Sequence, residues 1–192
     1  MKILRVALIL IALSMATVGE AQEPTRVRGT IAAFDFDGDV LSVKTKGGNT
    51  DVVLVNKTQI VFTQRIALAD IKPGDFLGVT SAKGGDGTLT AIEVRRFPKP
   101  LNPGHRPFDG RDYQTMTNAS VSSLVQSAGG DELMLTYEGG AQKIVVPESA
   151  SISALVPGNR LQLVPGAAVN LTASPGGDGR LTAIRIQVSP PR

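Results

Sequence analysis

Residues 84–92 read GGDGTLTAI, and residues 176–184 read GGDGRLTAI. The same shift of 92 positions aligns Pro73-Gly74 with Pro165-Gly166, Gly47-Gly48 with Gly139-Gly140, Gly38-Asp39 with Gly130-Asp131, and Ile60 with Ile152. Most of the shared residues are turn formers or the hydrophobic residues of strands. The chain therefore contains an internal duplication that preserves a backbone plan.

Each copy of the duplication predicts a string of short strands. In the first copy we expect strands at residues 27–33, 40–46, 51–55, 59–62, 76–82 and 88–97, with one helical turn at 67–72. The second copy repeats the plan at 119–125, 132–137, 142–146, 151–155, 168–173 and 180–188. Short strands without covering helices must protect their edges. We therefore expect an all-β protein of two tandem, OB-like β-barrels, each closed by the five to six strands of its own copy.

The first residues are typical of a secretion signal. Lys2 and Arg5 form a basic start, residues 6–15 are apolar, and Gly19-Glu20-Ala21 resembles a signal-peptidase site. The apolar run is shorter than the roughly 20 residues that span a bilayer, so we expect cleavage near Ala21 and export. No later stretch is long and apolar enough to span, which predicts a mature chain without a membrane span.

The predicted domain division follows from these segments. Residues 1–21 form the signal peptide, residues 22–96 the first barrel, residues 97–114 a linker, residues 115–188 the second barrel and residues 189–192 a tail. The linker is predicted because it contains four of the twelve prolines, Pro98, Pro100, Pro103 and Pro107. Proline interrupts the hydrogen-bond ladder of a strand.

Composition excludes several classes of function. The chain has 192 residues with no Cys, which removes disulfide and thiolate chemistry. Its formal charge of +3 falls to +2 once Lys2, Arg5 and Glu20 leave with the signal. The chain has too little net charge and too few aromatic residues to favour nucleic acid as a partner.

Several motifs resemble a known group of exported proteins. The run LADIKPGD at residues 68–75, GHRPFD at 104–109, TMTNA at 115–119, KIVVP at 143–147 and VPG at 156–158 carry the resemblance. The chain resembles an exported bacterial family of small β-barrels, named as a domain of unknown function. It is most similar to a two-copy proteobacterial group often labelled "metal ABC transporter permease". The resemblance implies a small-barrel fold and a periplasmic location, and no site residues.

The permease label conflicts with the sequence. A permease needs several apolar segments of about 20 residues, and this chain has none beyond its signal. The label therefore does not supply a function.

The candidate sites are few, and each also has an ordinary structural interpretation. Asp35, Asp37 and Asp39 offer clustered carboxylates of the kind that calcium prefers, although the spacing departs from an EF-hand loop and suits a hairpin tip. His105, the only histidine, is a weak metal candidate because a stable site needs three or four ligands. The basic residues that surround it are candidates for contact with a partner. This set comprises Arg95, Arg96, His105, Arg106 and Arg111.

The sequence favours a binding module over an enzyme. The sequence has no Cys, no Ser in a nucleophile elbow and no His inside either copy, so it offers no candidate catalytic group. No cofactor is predicted. We expect a non-catalytic periplasmic binding or scaffold module with an envelope protein or a glycan as its partner. The alternative is an accessory protein in metal handling.

Overall fold

The computed structural model describes residues 23–108, 111–125, 130–176 and 179–191. The predicted signal peptide, residues 1–21, lies outside this range, as does Arg192 of the predicted tail. The all-β prediction is confirmed. The strands are β1 (Thr25–Asp35), β2 (Val40–Thr45), β3 (Gly48–Val53), β4 (Gln59–Arg65), β5 (Phe76–Lys83), β6 (Leu89–Phe97), β7 (Gly104–Phe108), β8 (Arg111–Val125), β9 (Asp131–Tyr137), β10 (Gly140–Val146), β11 (Ser151–Pro157), β12 (Ala168–Pro175) and β13 (Leu181–Ser189).

Turn chemistry sets the local order of these strands. The hairpin between β2 and β3 has Gly48 at φ +113°, a backbone conformation that side chains disfavour. The predicted helical turn is a short 3-10 helix, Leu68–Asp70, and Arg160–Gln162 repeats it in the second copy. Within the described ranges no helix has the length and apolar character needed to cross a membrane.

Five strands close into a barrel. β1 pairs with β2 and β12, β2 pairs with β3, and β12 pairs with β13. The ring closes where β13 lies parallel to β3, with Leu181 opposite Val52. In the interior, Leu41 and Val52 of the first copy pack in one cluster with Leu171 and Ile186 of the second.

The origin of these strands differs from the prediction that each copy closes its own barrel. β1, β2 and β3 belong to the first copy, whereas β12 and β13 belong to the second. Of the eight further strands, β5 and β6 of the first copy pair with each other, and β5 pairs with β8 of the second. β8 pairs with β9, and β9 with β10. We call β5 to β10 the second set of strands. A strand can pair equally well with the corresponding partner strand of either copy. The sequence pattern within a strand therefore does not reveal which copy supplies its partner.

β4 and β11 carry the chain from one set of strands to the other. They pair with each other in antiparallel fashion, and Thr63 lies directly opposite Leu155, its counterpart at a shift of 92. β4 then lies parallel to β13, and β11 parallel to β6. The two copies are thus related by a pseudo-twofold axis that passes between Thr63 and Leu155.

The shift of 92 fails in the first strand of each copy. Val27 lies opposite Leu171, and Thr117 lies opposite Val79. Because Val79 and Leu171 are counterparts at a shift of 92, Val27 corresponds to Thr117, at a shift of 90. Asp35 pairs with Val40, whereas Val125 pairs with Glu132, so two more residues separate the paired positions in the second copy. The shift of 92 found in the sequence is therefore wrong for this strand.

The predicted linker, residues 97–114, contains the strand β7 and the beginning of β8. β7 pairs with β8, with His105 opposite Thr117 and Pro107 opposite Thr115. In the described part of the chain β7 pairs on one side only. Proline is tolerated in such an edge strand because its missing N–H is not needed there.

Candidate functional site

The outward side of β1, β12 and β13 has a concentration of arginine and amide side chains. Outward and inward residues alternate along each strand. The side chains of Val27, Leu171 and Ile186 are buried, so the residues next to them on the same strands point to solvent. We call this surface the arginine face. Its residues are Arg26, Arg28, Asn170, Thr172, Arg185 and Gln187.

Strand pairing brings these residues together. Arg28 lies opposite Asn170, which lies opposite Gln187. In the next row, Arg26 lies opposite Thr172, which lies opposite Arg185. The arginine face therefore consists of two parallel rows across three strands.

Two shallow cavities meet at Arg26. One, of about 220 Å³, is lined by Arg26, Asn170, Thr172, Arg185 and Gln187. The other, of about 460 Å³, is lined by Arg26, Val27, Arg28, Thr45, Lys46, Gly47 and Thr50. In the described part of the chain neither lining includes a carboxylate.

The cations of the arginine face have no acidic partner among the residues that the structure describes. Arg26, Arg28 and Arg185 are exposed, and none of them forms an ion pair there. Three unpaired guanidinium groups on one surface favour an anion, because a guanidinium binds carboxylate or phosphate through two parallel hydrogen bonds. This arrangement can bind an anionic ligand.

The matching face on the second set of strands is covered. There Asn118 takes the place of Arg28, and its Nδ2 donates to the backbone oxygens of Leu101 at 3.0 Å and Asn102 at 3.1 Å. Gly78 takes the place of Asn170, and a Cβ atom built on it would lie 2.5 Å from the ring of Phe97. Residues 98–103, here called the connector, therefore lie across the face that is open in the barrel.

The basic residues predicted from the sequence are placed differently. Arg95 forms an ion pair with Glu93, and Arg96 pairs with Asp75 at 3.4 Å. Arg106 donates to the backbone oxygen of Asn102 at 3.3 Å, and Arg111 is exposed at the start of β8. Two of the predicted partner contacts thus already have acidic partners within the protein.

The aspartates of the predicted calcium site serve the turn between β1 and β2. Oδ1 of Asp35 accepts from the backbone N–H of Asp37 at 3.0 Å, and Asp39 pairs with Arg160 at 2.8 Å. His105, the other metal candidate, lies on β7 in the second set of strands. In the described residues, no group of three or more His, Cys, Asp or Glu side chains could hold a metal ion.

A second polar cluster surrounds His105. Its Nδ1 lies 2.8 Å from Oγ1 of Thr117, a fully buried side chain. Ser81 and Thr115 lie opposite each other nearby, are both buried, and have hydroxyl oxygens without a hydrogen-bond partner among the described residues. The barrel has Ala173 where this cluster has Ser81, so the two copies have diverged at this position.

The environment of His105 predicts a measurable titration. Partial burial lowers the pKa of His105 from its ordinary value of 6.5, and the positive charge of Lys83 lowers it further. We expect the single imidazole Hε1 resonance in a proton NMR titration to have its midpoint below 6.5. Because folding favours the neutral imidazole, its contribution to stability is present above the unfolded pKa and is lost as pH falls toward the folded pKa.

A Lys83→Gln variant is the control for this titration. Removing the positive charge should move the midpoint part of the way back toward 6.5, since burial remains. A midpoint at or above 6.5 in the native protein would contradict the structural environment described for His105.

No family model, curated protein or solved structure matches this chain. The geometry of the two faces therefore supplies the evidence for a function. The arginine face was missed by sequence reasoning because its residues lie in β1 of one copy and in β12 and β13 of the other. The only local signal is the alternation of Arg26, Val27 and Arg28 in the first strand.

Proposed function

We propose that this protein is an exported, periplasmic, non-catalytic binding module that takes an anionic partner on its arginine face. The observation that carries the proposal is the group of three exposed guanidinium groups, Arg26, Arg28 and Arg185, without an acidic partner in the described residues. The secretion signal predicted at residues 1–21 supports the location.

We further propose that the second set of strands closes as a barrel of its own. The support is the pairing of β10 with β6, where Ile144 lies opposite Leu89, the counterpart of the β13 and β3 pairing. The buried cluster that includes Leu77, Leu133 and Ile144 supports the same proposal. Each barrel would then take strands from both copies.

The test of function compares two variants that lose the same charge. In the first, Arg26, Arg28 and Arg185 are each replaced by Gln. In the control, Lys99, Arg106 and Arg111 are replaced by Gln, which also tests part of the basic set predicted from the sequence. The readout is fluorescence anisotropy with labelled poly-glutamate, inorganic polyphosphate, a sulfated oligosaccharide and an oligonucleotide.

We expect the native protein to bind at least one of these polyanions, with an affinity that falls as salt rises. The affinity of the arginine-face variant should be lower by about tenfold or more, since three exposed charge contacts of about 0.5–1 kcal/mol each are removed. The control variant should bind as the native protein does. Binding that is lost in the control variant and retained in the arginine-face variant would contradict the proposal.

A further inference from the structure

We propose that the anionic partner is an extended acidic peptide segment, laid across β1 and β12 as the connector is laid across β8 and β5. This inference rests on the proposed function and names the class of its partner. It follows from comparing two matching faces of one chain, one covered and the other open.

The covered face indicates that this surface can hold peptide backbone. Asn118 donates to two successive carbonyl oxygens of the connector, those of Leu101 and Asn102. Arg28 stands at the matching position on the open face and has five N–H donors for carbonyl or carboxylate oxygens. The amide of Asn170 can both donate and accept, as a peptide group requires. The amide of Gln187 already donates to Oγ1 of Thr63 at 3.5 Å, and its oxygen can accept.

The open face lacks the space that holds the ring of Phe97 on the covered face. On the covered face, Gly78 leaves space for the ring of Phe97, which also lies against Phe76 with ring centroids 6.5 Å apart. On the open face, the counterparts of Gly78 and Phe76 are Asn170 and Ala168. The space for an aromatic ring is therefore filled by an amide.

Charge determines the chemistry of the occupant. Arg26 and Arg185 stand where the covered face has Met116 and Glu93. The exchange of Glu93 for Arg185 reverses the sign at that position, so carboxylates complement the open face. No aromatic side chain belongs to the arginine face, and stacking on aromatic rings is what nucleic-acid bases use on sheet surfaces.

The experiment uses labelled peptides of alternating Glu and Ser, about eight residues long, which at 3.3 Å per residue cross three strands. Matched peptides contain Gln or Lys in place of Glu. The protein variants are Arg28→Glu with Arg185→Glu, and Arg106→Glu with Arg111→Glu as the control of equal charge. Circular dichroism checks that both variants fold.

We expect the native protein to bind the Glu-Ser peptide at least tenfold more tightly than the Gln-Ser peptide. The Arg28→Glu, Arg185→Glu variant should lose this preference and bind the Lys-Ser peptide instead, while the control variant should behave as the native protein does. A Glu-Ser peptide that binds no better than its Gln-Ser match overturns the inference.

The failure of this inference is distinguishable from the failure of the proposed function. If a sulfated oligosaccharide or an oligonucleotide binds and the Arg28→Glu, Arg185→Glu variant loses it, while the Glu-Ser peptide does not bind, the function stands and the peptide assignment is wrong. If none of the polyanions binds the native protein, both are wrong.

Discussion

Cutting the backbone between Lys99 and Pro100 should leave the two halves of this protein bound to each other. The barrel needs β1, β2 and β3 from one fragment and β12 and β13 from the other. β4 and β11 add a further antiparallel pairing between the fragments. Separation therefore requires unfolding the barrel, and we expect the nicked protein to elute as one species under native conditions.

The measurement uses a protease site inserted between Lys99 and Pro100, where the connector is exposed. Size-exclusion chromatography follows cleavage, with and without denaturant. The matched control is cleavage in denaturant followed by removal of one fragment, after which the remaining fragment should lack cooperative unfolding. Two folded fragments that separate without denaturant would show that each copy closes alone, contrary to the observed pairing.

Replacing Ile186 with Ala should destabilise the protein by about 2–5 kcal/mol. Ile186 is fully buried in the barrel interior, in the same cluster as Leu41 and Val52 of the other copy. Removing its side chain leaves a cavity that the surrounding strands cannot fill. Urea denaturation, followed by circular dichroism, measures the free energy of unfolding.

Ile184 provides the matched control, because it lies on the same strand and is 44% exposed. Ile184→Ala should change the free energy of unfolding by no more than about 0.5 kcal/mol, as surface substitutions usually do. Equal effects at the two positions would mean that β13 does not present Ile186 to the interior.

The elements of the fold were largely predictable from the sequence. The alternation at residues 27–33 corresponds to β1, and the predicted strands at 76–82 and 88–97 correspond to β5 and β6. These predictions succeeded because alternation and turn chemistry act over a few neighbouring residues. The edge strand β7 was missed because Pro107 argues against a strand unless its unpaired side is known.

The arginine face could not be predicted from the sequence. Arg26 and Arg185 lie near opposite ends of the chain, and they share a cavity only because β1 pairs with β12 and β12 with β13. Proximity in the sequence instead suggested Arg95 and Arg96, which have acidic partners in the structure. A surface assembled from three strands depends on their pairing, which no single segment encodes.

The sequence by itself determined the strands, the turns, the duplication and the aliphatic character of the interior. Only the tertiary structure decided which copy supplies each partner strand. A barrel closed within one copy and a barrel closed by strands of both copies would make the same local contacts. The reason is that β5 and β12 are duplicates, and each could pair with the first strand of either copy. The mutual pairing of β4 and β11 around Thr63 and Leu155 directs each chain segment to the other set of strands.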